Sequence, residues 1–347
     1  MKALITSPSL DVSENVSGIA SHTKLLIEHC DHLVHFAIGR KDGESRNNRW
    51  VAKQISVLRQ FRSAIQDVDG VHFNLPLERF SILSGVMFVM LARWHRVPLL
   101  VHIRGGAYSN GRPMPGFIGW LLRVIFRLSD QVILLSESEA NLMGARFPIK
   151  TIHVMSNKVV VPARVRPEKY HSTSLQLVYA GRIVKDKGIN ELIRALRQLE
   201  AQMEVKCVVA GSGAPDLIEQ LNDLNCVDYR GVCTPEELRS IYNNSAIFLL
   251  PSYYEGMPNA MLEAMAFGCV PVVTNVGAVT SVVSRNNGKI TKVGDWEAVA
   301  KGVLELAAER SFLEELGIQA HNDIKRDYNI ASYVEDLLRI HRSLIDA

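Results

Sequence analysis

Short apolar runs alternate along this chain with stretches whose apolar residues recur at helical spacing. In the first half Ala3–Thr6, Leu33–Ile38, Val71–Phe73, Leu99–Ile103, Val132–Leu135 and Ile152–Met155 read as strands. Ile19–Cys30, Ile82–Trp94 and Phe117–Leu128 read as helices between them. The pattern resumes with strands Leu175–Tyr179, Val205–Ala210, Val227–Gly231, Ile247–Leu250 and Val270–Thr274. It closes with helices Trp296–Ala308, Phe312–Arg326 and Ile330–Ile345. Few folds accommodate this. Strand-helix alternation predicts an α/β architecture of mostly parallel sheets with helices on both faces. Such sheets take ligands at the carboxyl ends of their strands. A chain of 347 residues is long for one such unit and suits two. A boundary falls near Val159–Ser174, where Pro162, Pro167 and a polar run interrupt the pattern.

Charge and cysteine usage exclude several classes. Residues 1–165 carry 20 Lys+Arg against 12 Asp+Glu, a net of +8, whereas residues 166–347 carry 19 against 24, a net of −5. A basic first half favours an anionic partner or an anionic membrane surface. It does not indicate nucleic acid, because no basic run is interleaved with stacking aromatics. Cys30, Cys207, Cys226, Cys233 and Cys269 are scattered with no C-x-x-C pair, which argues against a disulfide framework or zinc site and for a reducing cytoplasm. The opening MKALITSPS reads as a first strand rather than a signal peptide. The longest apolar run, Ile82–Ala92, is too short to span a bilayer. Pro115–Leu128, with Arg112, Arg123 and Arg127 nearby, suits either a helix packed on the sheet or a helix at a bilayer interface.

Chemistry concentrates at three corners. The first is Ile247–Gly268, IFLLPSYYEGMPNAMLEAMAFG: a buried strand, a turn around Gly256 and Pro258, and a helix predicted to start at an Asn259 N-cap and stop at Gly268. Glu255 lies in the turn and Glu263 about one turn into the helix beside its buried face, so both carboxylates are placed to face one cleft. The second corner follows Leu175–Tyr179, where Gly181-Arg182 leads to Lys185-Asp186-Lys187-Gly188 and a helix with Leu192, Ile193 and Leu196 inward. Arg182 and Lys187 supply a bidentate fork and a point charge for an anion. One cation about 4 Å from such a charge is worth a few kcal/mol at an effective dielectric near 20. The third is Pro98–Gly111, a strand entering a glycine-rich loop, in which His102 and Arg104 share one side. Arg104 stays protonated, so it suits charge stabilisation rather than general base work. Asp67-Val68-Asp69 reads as a solvated turn, and no metal is assigned. Gly18, opening a helix after the first strand and its polar loop, lets backbone approach a phosphate, although no G-x-G-x-x-G follows that strand.

The run PSYYEGMPNAMLEAMAFGCVPVV, with its E-x7-E, resembles the retaining glycosyltransferases of family four, the group 1 enzymes of GT-B architecture. Gly181-Arg182 through Lys187-Gly188 looks like that family's G-R-x-x-x-x-K-G, and Gly211-Ser212-Gly213 like its strand-Gly-x-Gly turn. The resemblance spans nearly the whole chain and is strongest from Leu175 to Gly294. It implies two Rossmann-like domains with parallel sheets and an interdomain cleft. Residues 1–165 would bind the acceptor, 166–328 the nucleotide-sugar, and 329–347 would form a C-terminal helix packing back on the first domain.

The same resemblance implies roles. Arg182 and Lys187 would hold the donor diphosphate, with Gly18 near it; Glu255 would bond donor-sugar hydroxyls beside the backbone of Gly256, Met257, Pro258 and Asn259. Glu263 would take the ribose hydroxyls, and Val232 would rest against the base. The family often places a histidine at the end of the Leu99–Ile103 strand; Arg104, just before Gly105-Gly106, ranks slightly ahead of His102 for that role. The implied activity is transfer of a sugar, with retention, from a nucleotide-sugar to an acceptor hydroxyl in cell-surface polysaccharide or glycolipid biosynthesis. UDP-sugar is favoured over GDP-sugar, with no metal or other cofactor, and the acceptor is a glycan or lipid-linked. Cysteine usage points to a cytoplasmic location, and the basic first half to peripheral contact with an anionic inner membrane face. Two alternatives stay open: a sugar-nucleotide epimerase of the same fold, and a non-catalytic nucleotide-sugar-binding protein.

Overall fold

A computed structural model describes the chain except residues 12, 13, 16, 42, 43, 45–47, 107, 109–112 and 347, and the side chains of 48–52. Arg112 and parts of the Ser7–Ser17 and Pro98–Gly111 segments therefore lie outside the described residues. The chain divides into two compact units, Met1–Asn157 with the residues from Ala331 on, and Lys158–Ile330.

In the first unit β1 (Ala3–Ser7), β2 (Leu33–Ala37), β3 (Gly70–Leu75), β4 (Leu99–Ile103), β5 (Gln131–Leu134) and β6 (Ile152–Val154) form one parallel sheet in the order β2-β1-β3-β4-β5-β6. In the second, β7 (Leu175–Ala180), β8 (Val205–Ala210), β9 (Val227–Gly231), β10 (Ile247–Leu250), β11 (Val270–Thr274) and β12 (Lys289–Thr291) lie in the order β12-β11-β10-β7-β8-β9. Strands covered by helices on both faces bury every side chain, which is why β10 reads as a continuous apolar run and β4 and β11 nearly so, with His102 and Thr274 as their polar members. β12 escaped the sequence reading because it is three residues long at the sheet edge, with only Thr291 buried.

Each sheet reverses direction once. The chain runs outward from β1 to β2 and then returns to β3; likewise it runs from β7 through β8 and β9 and returns to β10. At such switch points the loops leaving two neighbouring strands diverge and open a crevice at the carboxyl edge. In the second unit the crevice is set by a close backbone approach. Gly188 has φ +70°, and a Cβ there would lie 1.9 Å from the Pro251 carbonyl oxygen. Only glycine lets the turn after β7 touch the turn after β10.

The units part earlier than the sequence boundary at 165/166. Val159 donates to the Tyr328 carbonyl (2.9 Å) and pairs with Asn329, which draws the connecting segment into the second unit. The last helix, Ile330–Ile345, belongs from Ala331 with the first unit. It buries Tyr333, Leu337, Ile340 and Leu344 there. Its His341 lies between His72 of β3 (Nε2 to Nδ1, 3.1 Å) and His32 (Nδ1 to Nε2, 2.8 Å). His72 in turn meets His102 of β4 at 3.0 Å.

Burial drives these imidazoles toward the neutral form: His72 and His102 are held well below the ordinary histidine range, and His341 is pushed down to about 3. The unfolded chain takes up protons near pH 6.5, where the folded chain does not, so stability falls as pH falls through that value. Each such histidine contributes up to about 1.4 kcal/mol per pH unit. Denaturant midpoints should therefore drop between about pH 7.5 and pH 5, and His341→Gln should flatten the dependence; an unchanged slope in that variant would count against this assignment. At the other unit, Gly188→Ala is expected to cost about 2–4 kcal/mol in unfolding free energy. Gly231→Ala, with φ +65° and nothing within 4 Å of its Cβ, should cost about 1 kcal/mol. Equal costs would mean that the Gly188–Pro251 approach does not constrain the turn.

Candidate active site

The turn after β7 holds Arg182 and a single 3-10 turn, Lys185–Lys187, before helix Ile189–Glu200. The turn after β10 holds Ser252 through Pro258 before helix Asn259–Ala266. Besides the Gly188–Pro251 approach, the Tyr253 amide donates to the Asp186 carbonyl (3.0 Å). With the two turns joined, Lys187 Nζ donates to both oxygens of Glu255, each at 2.7 Å. Ser252 Oγ donates to Glu255 Oε1 at 2.8 Å. The lysine side chain is 20% exposed and the glutamate 8%. An ion pair this sheltered gains Coulomb attraction but loses hydration, so its net effect is positional more than stabilising. An ammonium has three donors; two serve Glu255, leaving one for an incoming acceptor.

Parallel strands deliver their exits to one edge, so Arg182, Lys187, Val232, Glu255 and the Gly256–Asn259 backbone all emerge there. Arg182 is exposed, and its guanidinium makes no ion pair among the described residues, while its carbonyl accepts from the Tyr179 hydroxyl (2.8 Å). Val232 stands 45% exposed directly after β9. Gly256 accepts from the Ala278 amide at 2.9 Å, and Met257 is buried. Pro258, not Asn259, is the cap of the following helix, without a side-chain cap bond; Asn259 is the first helical residue. Proline at that place lacks the N–H a cap would leave unpaired. The first-turn amides therefore start one residue earlier than an Asn259 cap would place them, at Asn259 itself.

Glu263 and Glu255 are held by different partners. Tyr242 donates its hydroxyl to Glu263 Oε2 at 3.4 Å. Part of the residue is exposed, but its carboxyl lies deep, and burial raises its pKa to about 7. A hydrogen-bonding ligand that favours the carboxylate would lower it again.

In the first unit, Gly18 opens helix Gly18–His29, capped by Ser17 Oγ accepting from the Ala20 amide (3.3 Å). Arg104 leaves the end of β4 and reaches that helix: NH2 donates to His22 Nδ1 (2.6 Å), while NH1 donates to Asn157 Oδ1 (2.9 Å) and His102 Nε2 (3.3 Å). No carboxylate pairs with it among the described residues, its Nε is buried without a partner, and burial lowers its pKa. Because a guanidinium only donates, His102 Nε2 must be the accepting nitrogen. Its Nδ1–H then donates to His72 Nε2, His72 Nδ1–H to His341 Nε2, and His341 Nδ1–H to His32 Nε2. One cation thus sets the tautomer of a whole row of neutral rings. His102 has no exposed surface and both nitrogens are engaged, so it supports Arg104 from inside the sheet; Arg104 is the one of the two at the strand exit.

Ser252, Tyr242, His22 and Asn157 were not singled out from sequence. Ser252 stands three residues from Glu255 and was open to that reading; the other three act across long chain separations. Asp69 accepts from the Lys2 amide (2.8 Å), and no cluster of metal-ligating side chains occurs among the described residues. All five cysteines are free thiols.

Residues 164–323 match the profile of glycosyl transferases group 1, and residues 32–158 that of the glycosyl transferase 4-like domain. A capsular polysaccharide biosynthesis glycosyltransferase of Staphylococcus aureus, CapM, is 35% identical over 174 residues, 47% of this chain and 44% of that protein, so the match spans under half of the relative's length. The putative teichuronic acid biosynthesis glycosyltransferase TuaC of Bacillus subtilis is 22% identical over 81% of this chain and 72% of its own. Among solved structures, sucrose-phosphate synthase of Thermosynechococcus elongatus has a TM-score of 0.80 at 16% identity, covering 99% of both chains. Anabaena HepE, solved with UDP and glucose, has a TM-score of 0.74 at 14% identity, covering 99% of this chain and 100% of that one. Two parallel α/β units of this topology have the GT-B fold. The chain belongs to the group 1 glycosyltransferases of family four.

Proposed function

We propose that this protein transfers a sugar from a nucleotide-sugar, a UDP-sugar ahead of a GDP-sugar, to the hydroxyl of a glycan or lipid-linked acceptor in cell-surface polysaccharide or glycolipid synthesis. The observation that carries the reading is the Lys187–Glu255 contact at the switch point of the second sheet, with the exposed Arg182 on the same turn as Lys187. Kinship with proteins named for capsular and teichuronic acid biosynthesis supports the product class. The UDP-glucose bound in HepE supports the donor class.

In this reading the bond from the anomeric carbon to the diphosphate oxygen breaks as the acceptor oxygen bonds to that carbon on the same face. The acceptor proton passes to the departing phosphate oxygen, so no protein nucleophile is needed and configuration is retained. Charge builds on the diphosphate, and cations already in place stabilise it without reorganisation. Arg182 offers a planar fork and Lys187 its remaining N–H; together they take the role a metal would otherwise fill, so no metal is required. Glu255, oriented by Lys187 and Ser252, accepts from sugar hydroxyls, and Glu263 from the ribose. Arg104, a cation held by neutral partners, meets negative charge on the acceptor. The protein works from the cytoplasm against the inner membrane face.

Purified protein screened against UDP-, GDP- and ADP-sugars, with transfer and hydrolysis both read, tests the proposal. A UDP-sugar should give the largest thermal shift and should be turned over undiminished in EDTA. Isomerised donor without transfer would replace the reading by an epimerase, and binding with neither reaction by a non-catalytic binder. Lys187→Ala should lower turnover by about two to three orders of magnitude, as loss of one preorganised charge contact does, with its circular dichroism unchanged. Turnover near that of the unaltered protein would remove Lys187 from the mechanism.

A further inference from the structure

Helices Arg79–Trp94 and Gly116–Leu128 pack side by side on the first unit. Their inner faces bury Ile82, Phe88, Val89 and Ala92, and Ile118, Leu122, Ile125 and Phe126. Their outer faces are not polar. Phe80 (50% exposed), Met87, Met90 and Trp94 (84%) project from the first helix, Phe117 (60%) and Trp120 (59%) from the second. Phe80, Met87 and Trp94 are seven apart, and with Met90 they fall within about a quarter of the helix circumference at 100° per residue. Phe117 and Trp120 stack with centroids 6.5 Å apart, and Arg127 follows on the same side with Arg123 next to it. Scattered exposed apolar residues are ordinary, but this many aromatic and methionine side chains on one helix pair are not.

The charge on the two helices themselves has one sign, with Glu78 and Asp130 at their flanks. From residue 79 to 129 the sequence holds seven arginines and no aspartate, glutamate or lysine. Arg93 is neutralised by Asp130 (3.2 Å) and Arg104 is committed to the imidazole row. Arg79, Arg96, Arg123 and Arg127 are exposed and make no ion pair among the described residues.

We propose that this helix pair is a docking face for a lipid bilayer containing anionic phospholipid. Tryptophan and phenylalanine rings flanked by cations are the side-chain set of the bilayer interface, where the ring enters the acyl boundary and the cation meets lipid phosphate. Arginine's long stem lets its head remain at the phosphates while the helix face sinks. A second copy of this chain is disfavoured, because a self-complementary contact would bring arginine against arginine. No helix among the described residues is long and apolar enough to cross a membrane, so the contact is a surface one. The proposal deepens the membrane part of the reading above, and it is tested without donor or acceptor, so the two fail separately.

The experiment is flotation of the full chain with phosphatidylcholine vesicles, with and without phosphatidylglycerol. The protein should float with the anionic vesicles alone and be released as salt rises. Phe117→Ser/Trp120→Ser should reduce the bound fraction by about tenfold, the loss expected for withdrawing two large apolar anchors. Met90→Ser/Trp94→Ser on the neighbouring helix and Arg123→Glu/Arg127→Glu should each do likewise, with unfolding temperatures unchanged. Absence of binding by the unaltered protein would overturn the proposal, as would equal binding to neutral vesicles, or full binding by all three folded variants. So would a dimer in sedimentation equilibrium that Phe117→Ser/Trp120→Ser dissociates.

Discussion

Lys187 and Glu255 stand 68 residues apart in sequence and 2.7 Å apart in space, and the candidate site is arranged around that contact. It exists because β7 and β10 are neighbours at the point where the second sheet reverses, and because Gly188 lets the two turns touch. Neither side chain could be so placed by its own turn alone. The pair holds opposite charges ready at the carboxyl edge of the strands, which under the proposed function would meet the donor's diphosphate and sugar hydroxyls side by side. Its worth lies in placement, since desolvation offsets much of the attraction between the two ions.

The first unit meets the same electrostatic problem with a different solution. Arg104 is sunk at the end of β4 with neutral acceptors, His22, His102 and Asn157, and with no carboxylate beside it among the described residues. A cation whose field is not cancelled by an anion remains available to negative charge from outside. The imidazoles behind it are kept neutral by burial and turned by hydrogen bonding, so they fix Arg104 without competing for it. The same row holds the last helix to β3 through His341, which ties the orientation of Arg104 to the docking of the chain's end.

Much of this was legible in the sequence. β4, β8, β10 and β11 have the ends their mainly apolar runs suggest, and Gly268 stops its helix in a left-handed conformation. Arg182, Lys187, Glu255 and Glu263 could be nominated because they sit at strand-to-helix corners, and a corner is a local pattern. Partnerships formed between elements were not legible: the Tyr242–Glu263 bond, the imidazole row, and the pairing of Val159 with Asn329 that moves the boundary between units. Periodicity reports which side of an element is buried, not what it is buried against. Asn259 misled for a related reason. Asparagine is a good cap, but the proline before it takes the position. The apolar outer face near Trp94 and Trp120 was half seen, since residue type showed the density of large side chains and only the fold showed which of them face outward.

The central claim is that the Lys187–Glu255 pair forms one unit that receives the donor's diphosphate and sugar. Calorimetric titration of UDP- and GDP-sugars, without acceptor, into the protein, Lys187→Ala, Glu255→Gln and the double variant tests it most directly. The account predicts that the tighter nucleotide-sugar is weakened by each single change and that the double variant loses less than the sum, by about 1 kcal/mol or more, as coupled contacts do. Affinities untouched by either substitution, or losses that simply add, would contradict it.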